Sequence, residues 1–152
     1  MDVLEMCRSE TKELIDDILN CWEYTIIKNK WDIIDITNTI LIITDKNIKS
    51  LSNRIIKVIN LHGGDIKCEV VKIDNYCVIT VNKYFENVDC NILLKFKIIS
   101  FKDFNNTKGK YSCILADVNK DGVDKKFINK ADEIINKEPE NMFIDYGIIN
   151  LY

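Results

Sequence analysis

Residues 64–82 read GDIKCEVVKIDNYCVITVN, two strand-forming runs that meet at Asp74-Asn75. Residues that tolerate positive φ, placed at a two-residue junction between β-branched runs, signal a hairpin. With the turn there, Lys72 falls opposite Cys77, Val70 opposite Ile79 and Cys68 opposite Val81. This register gathers Cys68, Val70, Cys77, Ile79 and Val81 on one face, and Val71, Ile73, Tyr76 and Val78 on the other. Two apolar faces imply a hairpin covered on each side, deep in a sheet.

Upstream of it, Thr39 to Thr44 (TILIIT) is a continuous β-branched run and predicts a buried strand. Asp45 then reads as the cap of a helix over about 46–61 carrying Ile48, Leu51, Ile55, Val58 and Ile59, stopped by His62-Gly63-Gly64. Strand, helix and hairpin strand in that order suggest a crossover that places 39–44 and 65–73 in one sheet, parallel to each other. Further back, Asp2 and Glu5 resemble a capping box, and Leu4, Cys7, Leu14, Ile15, Ile18 and Trp22 recur at helical spacing, predicting a helix from about 3 to 23. Residues 24–36 fit a short strand, a turn at Asn29-Lys30 and a further turn holding Trp31.

Downstream, 82–91 reads as a loop that Tyr84 and Phe85 pack down. Ile92, Leu94, Phe96 and Ile98 alternate with Leu93, Lys95 and Lys97, the pattern of a strand with one wetter face. A turn at 105–109, a strand over 111–118, a helix over 124–137 ended by Pro139, and a last strand complete the order. The expected fold is a single α+β domain over 1–152, a mostly antiparallel sheet of five or six strands with about three helices.

The totals bound the function more than they identify it. A chain of 152 residues with 47% hydrophobic and 30% charged residues can bury a core without metal or disulfide staples. Six cysteines without a C-x-x-C pair, and a single histidine, argue for reduced thiols in a cytoplasmic protein and against a zinc site. The acidic N-terminus has no apolar segment of a secretory signal, and the longest aliphatic run, Ile40 to Ile43, is far too short for a membrane span. Usage of 27 Ile, 17 Asn and 19 Lys against 2 Arg points to an AT-rich genome, that of a low-GC bacterium, its phage or a large DNA virus.

Three surfaces carry candidate chemistry. Glu10, Glu13, Asp16 and Asp17 form an acidic stripe on the first helix, suited to docking a basic protein partner. Lys95, Lys97, Lys102, Lys108 and Lys110 interleave with aromatic residues over 95–111, which could give a single nucleic-acid strand phosphate contacts and stacking rings. The net charge of −3 and the lack of any nucleic-acid-binding motif argue against that role.

The third is Asp117-Val118-Asn119-Lys120-Asp121-Gly122-Val123, with oxygen side chains at loop positions 1, 3 and 5 and glycine at 6. LADVNKDGVD is similar to the calcium loops of integrin-type FG-GAP repeats, and its first six loop residues also fit an EF-hand. The resemblance spans about ten residues and implies Asp117, Asn119, Asp121 and the Val123 carbonyl as ligands, with calcium as the one candidate cofactor. It departs where closing carboxylates belong, with Lys125 at the ninth position and Ile128 at the twelfth.

No nucleophile elbow, glycine-rich phosphate loop or H-E-x-x-H is present to nominate a catalytic residue, which leaves an enzyme only as an unrecognised site. The default reading is a small non-catalytic protein-binding module of the inhibitor, immunity-protein or viral accessory kind, working through a surface contact.

Overall fold

A computed structural model of the chain describes residues 11–29, 38–62, 65–73, 75–117, 125–135 and 146–149. One six-stranded mixed sheet organises them, with helices against both faces. In chain order the elements are α1 (Thr11–Asn29), β1 (Asn38–Thr44), α2 (Ile48–Leu61), β2 (Ile66–Ile73), β3 (Tyr76–Phe85), β4 (Cys90–Ser100), a 3₁₀ helix (Phe101–Asn106), β5 (Cys113–Asp117), α3 (Lys125–Ile134) and β6 (Tyr146–Ile149). The strands lie in the order β2-β3-β4-β1-β5-β6.

Two ladders, β2 with β3 and β3 with β4, are antiparallel and pair eight and ten residues. The other three, which join β1 to β4, β1 to β5 and β5 to β6, are parallel and pair seven, five and four. Antiparallel pairing therefore has the larger share of this α+β sheet, and it belongs to strands that follow one another along the chain.

The hairpin register is the one that the sequence implies: Cys68 faces Val81, Val70 faces Ile79 and Lys72 faces Cys77. Its location is different. β2 is the outer strand, with Val70, Val71 and Ile73 at 36, 54 and 49% exposure, so the hairpin is not covered on both faces. β3 reaches the core through Cys77, Ile79, Val81 and Phe85, while β2 only packs against it through half-buried Ile66 and Cys68. β1 and its neighbour β5 are buried on both faces: Ile40 and Ile42 point into one hydrophobic cluster with Cys113 and Leu115, and Leu41 and Ile43 into the other with Ile114 and Ala116. A run of four aliphatic residues is what such a central, mainly parallel position demands. β1 and β2 do run in the same direction, as the crossover implies, with β3 and β4 between them.

The first cluster packs α1 and α2 on one face of the sheet. Leu14, Ile15, Ile18, Leu19, Trp22 and Ile26 recur at helical spacing and are all buried, which carries α1 through to Asn29. The strand and turn expected after residue 23 therefore give way to helix as far as 29, while Trp31, Asp2 and Glu5 lie outside the described residues. Trp22 sits edge-on to Phe85, ring centroids 5.3 Å apart. On α2, Leu51, Ile55, Val58 and Ile59 face inward. Its cap is Asn47 rather than Asp45: the Asn47 Oδ1 accepts from the Ser50 backbone N–H at 2.9 Å, the reach of an N-cap to its third helical residue.

The second cluster lies on the opposite face and is smaller. Phe127, Ala131 and Ile134 of α3 meet Leu41, Ile43, Ile99, Ile114 and Ala116, with Phe104 and Tyr111 filling the side. β3 continues to Phe85 and turns at 86–89 directly into β4, so the loop expected over 82–91 shrinks to a four-residue connection with Asp89 at φ 50°. Phe85 is buried there and Tyr84 is exposed, its hydroxyl donating to Asp89. The expected turn at 105–109 begins earlier, as the 3₁₀ helix, and closes at Gly109, whose φ of 108° suits only a residue without Cβ.

Candidate functional site

Parallel strands present their carboxyl ends to one rim, and where consecutive connections leave to opposite faces a crevice opens between them. Here β1 leads into α2 on one face, and α3 after β5 packs on the other. Thr44 and Asp117 end these two strands side by side. The Asp117 carboxylate is wholly buried and accepts from the Thr44 Oγ1–H at 2.9 Å and from the Lys46 ammonium at 2.8 Å. The Lys46 backbone N–H donates to Thr44 Oγ1 at 3.0 Å, and the Asp45 N–H to the Asp117 carbonyl at 3.4 Å. These bonds clamp the β1–α2 connection to the end of β5. The first residue of the calcium-like loop is thus already neutralised by a lysine, and a cation there would have to displace it. Asn119, Asp121 and Val123 lie outside the described residues. Among the described residues no three His, Cys, Asp or Glu side chains converge as a metal site would require.

The acidic stripe is divided by the packing of α1. Glu13 and Asp17 are exposed, Glu10 lies outside the described residues, and Asp16 is engaged. Its carboxylate takes the Lys12 ammonium and His62 Nε2, each at 2.6 Å, the latter bond tying the end of α2 to α1. The hydrogen bond from Lys12, and after it the one from His62, holds the Asp16 carboxyl below the ordinary carboxylate range, while burial works the other way.

A lowered native pKa means that Asp16 stabilises the fold above the ordinary aspartate value, ~3.9, and that this contribution fades as pH falls through the native value. Asp16→Asn is therefore expected to cost about 1 kcal/mol at neutral pH, or ~2–4 °C in melting temperature. The gap to the parent should close as pH falls through and below the ordinary aspartate range. Equal melting at neutral pH would refute the assignment.

The basic segment splits as well. Lys95 and Lys97 are half-buried on the face of β4 away from α1 and α2, with the Lys97 ammonium 4.9 Å from the Tyr76 ring centroid. Lys102, Lys108 and Lys110 are exposed beyond the strand, and Lys110 donates to the Glu133 carbonyl at 2.9 Å. Three rings of this segment, Phe96, Phe104 and Tyr111, are buried in the two clusters, so they are not presented for stacking.

What the sequence did not single out is the end of the sheet that, among the described residues, no helix covers on one face. Among the described residues the cluster under α3 takes in β1, β5 and Ile99 at the end of β4, with Tyr76 of β3 packed against its margin. Over β2, β3 and β4 the same face carries Val71 and Ile73, both exposed, half-buried Tyr76, Val78, Lys95 and Lys97, and Leu93 at 40% exposure. Alternation within each strand was the available signal; which strand would be the outer one was not written in it.

Around the corner, an open hollow of about 250 Å³ lies between the first turn of α2 and the β2–β3 hairpin, with Lys49, Lys72, Tyr76 and Cys77 in its lining. A second at the other end is lined by Asp65, Lys83, Tyr84 and Glu86 among others. Neither brings His62 to a thiol. Burial raises the Cys68 thiol above the usual range, Cys77 adding to the effect, so this sulfur is not an activated nucleophile. No helix among the described residues is long and apolar enough to cross a membrane. No protein-family model matches this chain, and no curated protein or solved structure is significantly similar to it.

Proposed function

We propose that the chain is a non-catalytic protein-binding module whose contact surface is the uncovered end of the sheet, β2 with the adjoining face of β3 and β4. One observation carries this reading: exposed Val71 and Ile73 of β2 adjoin half-buried Val78 and Tyr76 of β3 in two neighbouring rows of that face, with Leu93 exposed further along it on β4. Scattered apolar residues on a surface need no explanation, but a contiguous apolar patch rimmed by charge is what partner surfaces present. Lys67, Glu69, Lys95 and Lys97 supply such a rim on the same face. Cys68, Cys77 and Cys90 carry free thiols, which supports a reducing cytoplasm as the setting. An inhibitor, an immunity protein or a viral accessory protein would each work in this way.

The test is a pair of single substitutions, Val71→Asp and Leu93→Asp, in the full chain used as bait in cells of its source. Both sites are exposed, so melting should move by less than about 0.5 kcal/mol. Capture of the specific partner should fall at least ~30-fold if either site belongs to the centre of the contact. Undiminished capture with both variants, alongside loss on Glu13→Ser/Asp17→Ser, would move the contact to α1 and overturn this reading.

A second reading has an observation of its own, since Lys67, Lys95 and Lys97 share that face. Binding of a single-stranded oligonucleotide that weakens steeply with salt would favour it.

A further inference from the structure

The outer edge of β2 explains an exposure that its face does not. Val70 points to the helix-covered side, opposite Ile79, which is fully buried, yet Val70 is 36% exposed because no strand stands beyond it among the described residues. We propose that the strand that stands there is β2 of a second copy, paired antiparallel about a two-fold axis at Cys68. The proposal rests on the open end of the sheet being a contact surface and names its occupant.

Symmetry limits the choice of register. A two-fold axis normal to a sheet keeps each residue on its own face, so facing residues must be disposed evenly about one central residue. Centred on Glu69, the pairing sets two carboxylates against each other. Centred on Val70 or Val71, it sets Lys72 against Cys68 or Val70, and leaves Glu69 facing Val71 or Ile73.

Centred on Cys68, every pair over residues 66–70 is complementary or neutral, and Asp65 faces Val71 only beyond the end of the strand. Lys67 faces Glu69 of the second copy and Glu69 faces its Lys67, while Ile66 and Val70 face each other twice on the helix side. Opposite charges and β-branched residues directly across an antiparallel pair are the combinations that stabilise it. The alternation of Lys67 and Glu69 is then a specificity device instead of a simple guard against edge pairing.

The helices leave room. α2 lies over β2, β3 and β4, centred near β3, and two such helices across the joined edges would stand ~14 Å apart at three strand spacings. Helix diameters of about 10–12 Å fit that gap.

Sedimentation of the full chain should show a dimer that Lys67→Glu weakens at least tenfold, and that the exchange Lys67→Glu/Glu69→Lys restores to within about threefold. The central thiols would lie at the Cα separation of a facing antiparallel pair, within disulfide reach. Copper phenanthroline, its copper(II) taking the two electrons as two protons leave, should join the copies in the parent, in Cys21→Ser and in Cys90→Ser, but not in Cys68→Ser. A monomer at every concentration, a cross-link that survives Cys68→Ser, or an exchange variant that stays monomeric would each overturn the proposal. Loss of partner capture by Leu93→Asp, which lies off this edge, would still uphold the open end as a contact surface if self-pairing failed.

Discussion

Trp22→Ala is expected to remove about 3–5 kcal/mol, the largest effect of any single substitution in the helix layer over β3. The indole is fully buried and meets Phe85 edge-on, so alanine leaves a cavity between α1 and the β3–β4 connection. For a domain stabilised by only ~5–15 kcal/mol this removes a large fraction of the total. Trp22→Phe should behave differently. The indole Nε1–H has no hydrogen-bond partner among the described residues, so phenylalanine discards a buried donor that nothing satisfies while it keeps most of the ring contact. Its cost should stay below about 1.5 kcal/mol. Urea unfolding separates the two, and an alanine variant within ~1 kcal/mol of the parent would mean that this layer does not hold the fold.

Lys46→Met is expected to cost about 3 kcal/mol. The removal of one partner from a buried ion pair leaves the other charge poorly compensated, a loss of ~3–5 kcal/mol, and the lower end applies because the lysine is about one-third exposed. Asp117 would keep the hydrogen bond from Thr44 Oγ1. Asp117→Asn on that background removes the charge and retains an acceptor for Thr44, so the double variant should recover most of the loss. The cycle of four proteins isolates the coupling. Equal costs for Lys46→Met with and without Asp117→Asn would show that the ammonium serves something other than this carboxylate.

Local pattern and long-range placement parted company in this chain for identifiable reasons. The β2–β3 register was legible because a short turn fixes which residues face each other and both runs are β-branched. Its place at the sheet edge was not, since Val71 and Val78 read alike whether or not a helix covers them. α1 was legible through Leu14 to Trp22, but Tyr24, Ile26 and Ile27 are as acceptable in a strand as in a helix, and the tertiary setting of Ile26 decided it. Asp45 and Asn47 compete as caps two residues apart, and Asn47 is the cap because it stands immediately before the first helical residue, Ile48, within side-chain reach of the Ser50 N–H.

The site residues divide in the same way. Asp117 was singled out as a calcium ligand, whereas its partners Thr44 and Lys46 lie more than seventy positions earlier in the chain, beyond the reach of any spacing rule. The acidic stripe was read as one surface, and only the meeting of α1 with His62 shows that Asp16 belongs to the joint between helices.

The central position of β1 shapes how the chain must come together. Its neighbours on both sides are made later: Ile42 lines up with Ile98 and with Leu115. While a ribosome is still translating the hairpins, Ile40 to Ile43 therefore has neither of its flanks occupied, and this is the kind of sticky, uncharged segment that trigger-type chaperones shield. The two hairpin ladders can zip up from short loops, but closure of the middle has to wait for β5, so refolding should be limited by the late insertion of the earliest strand.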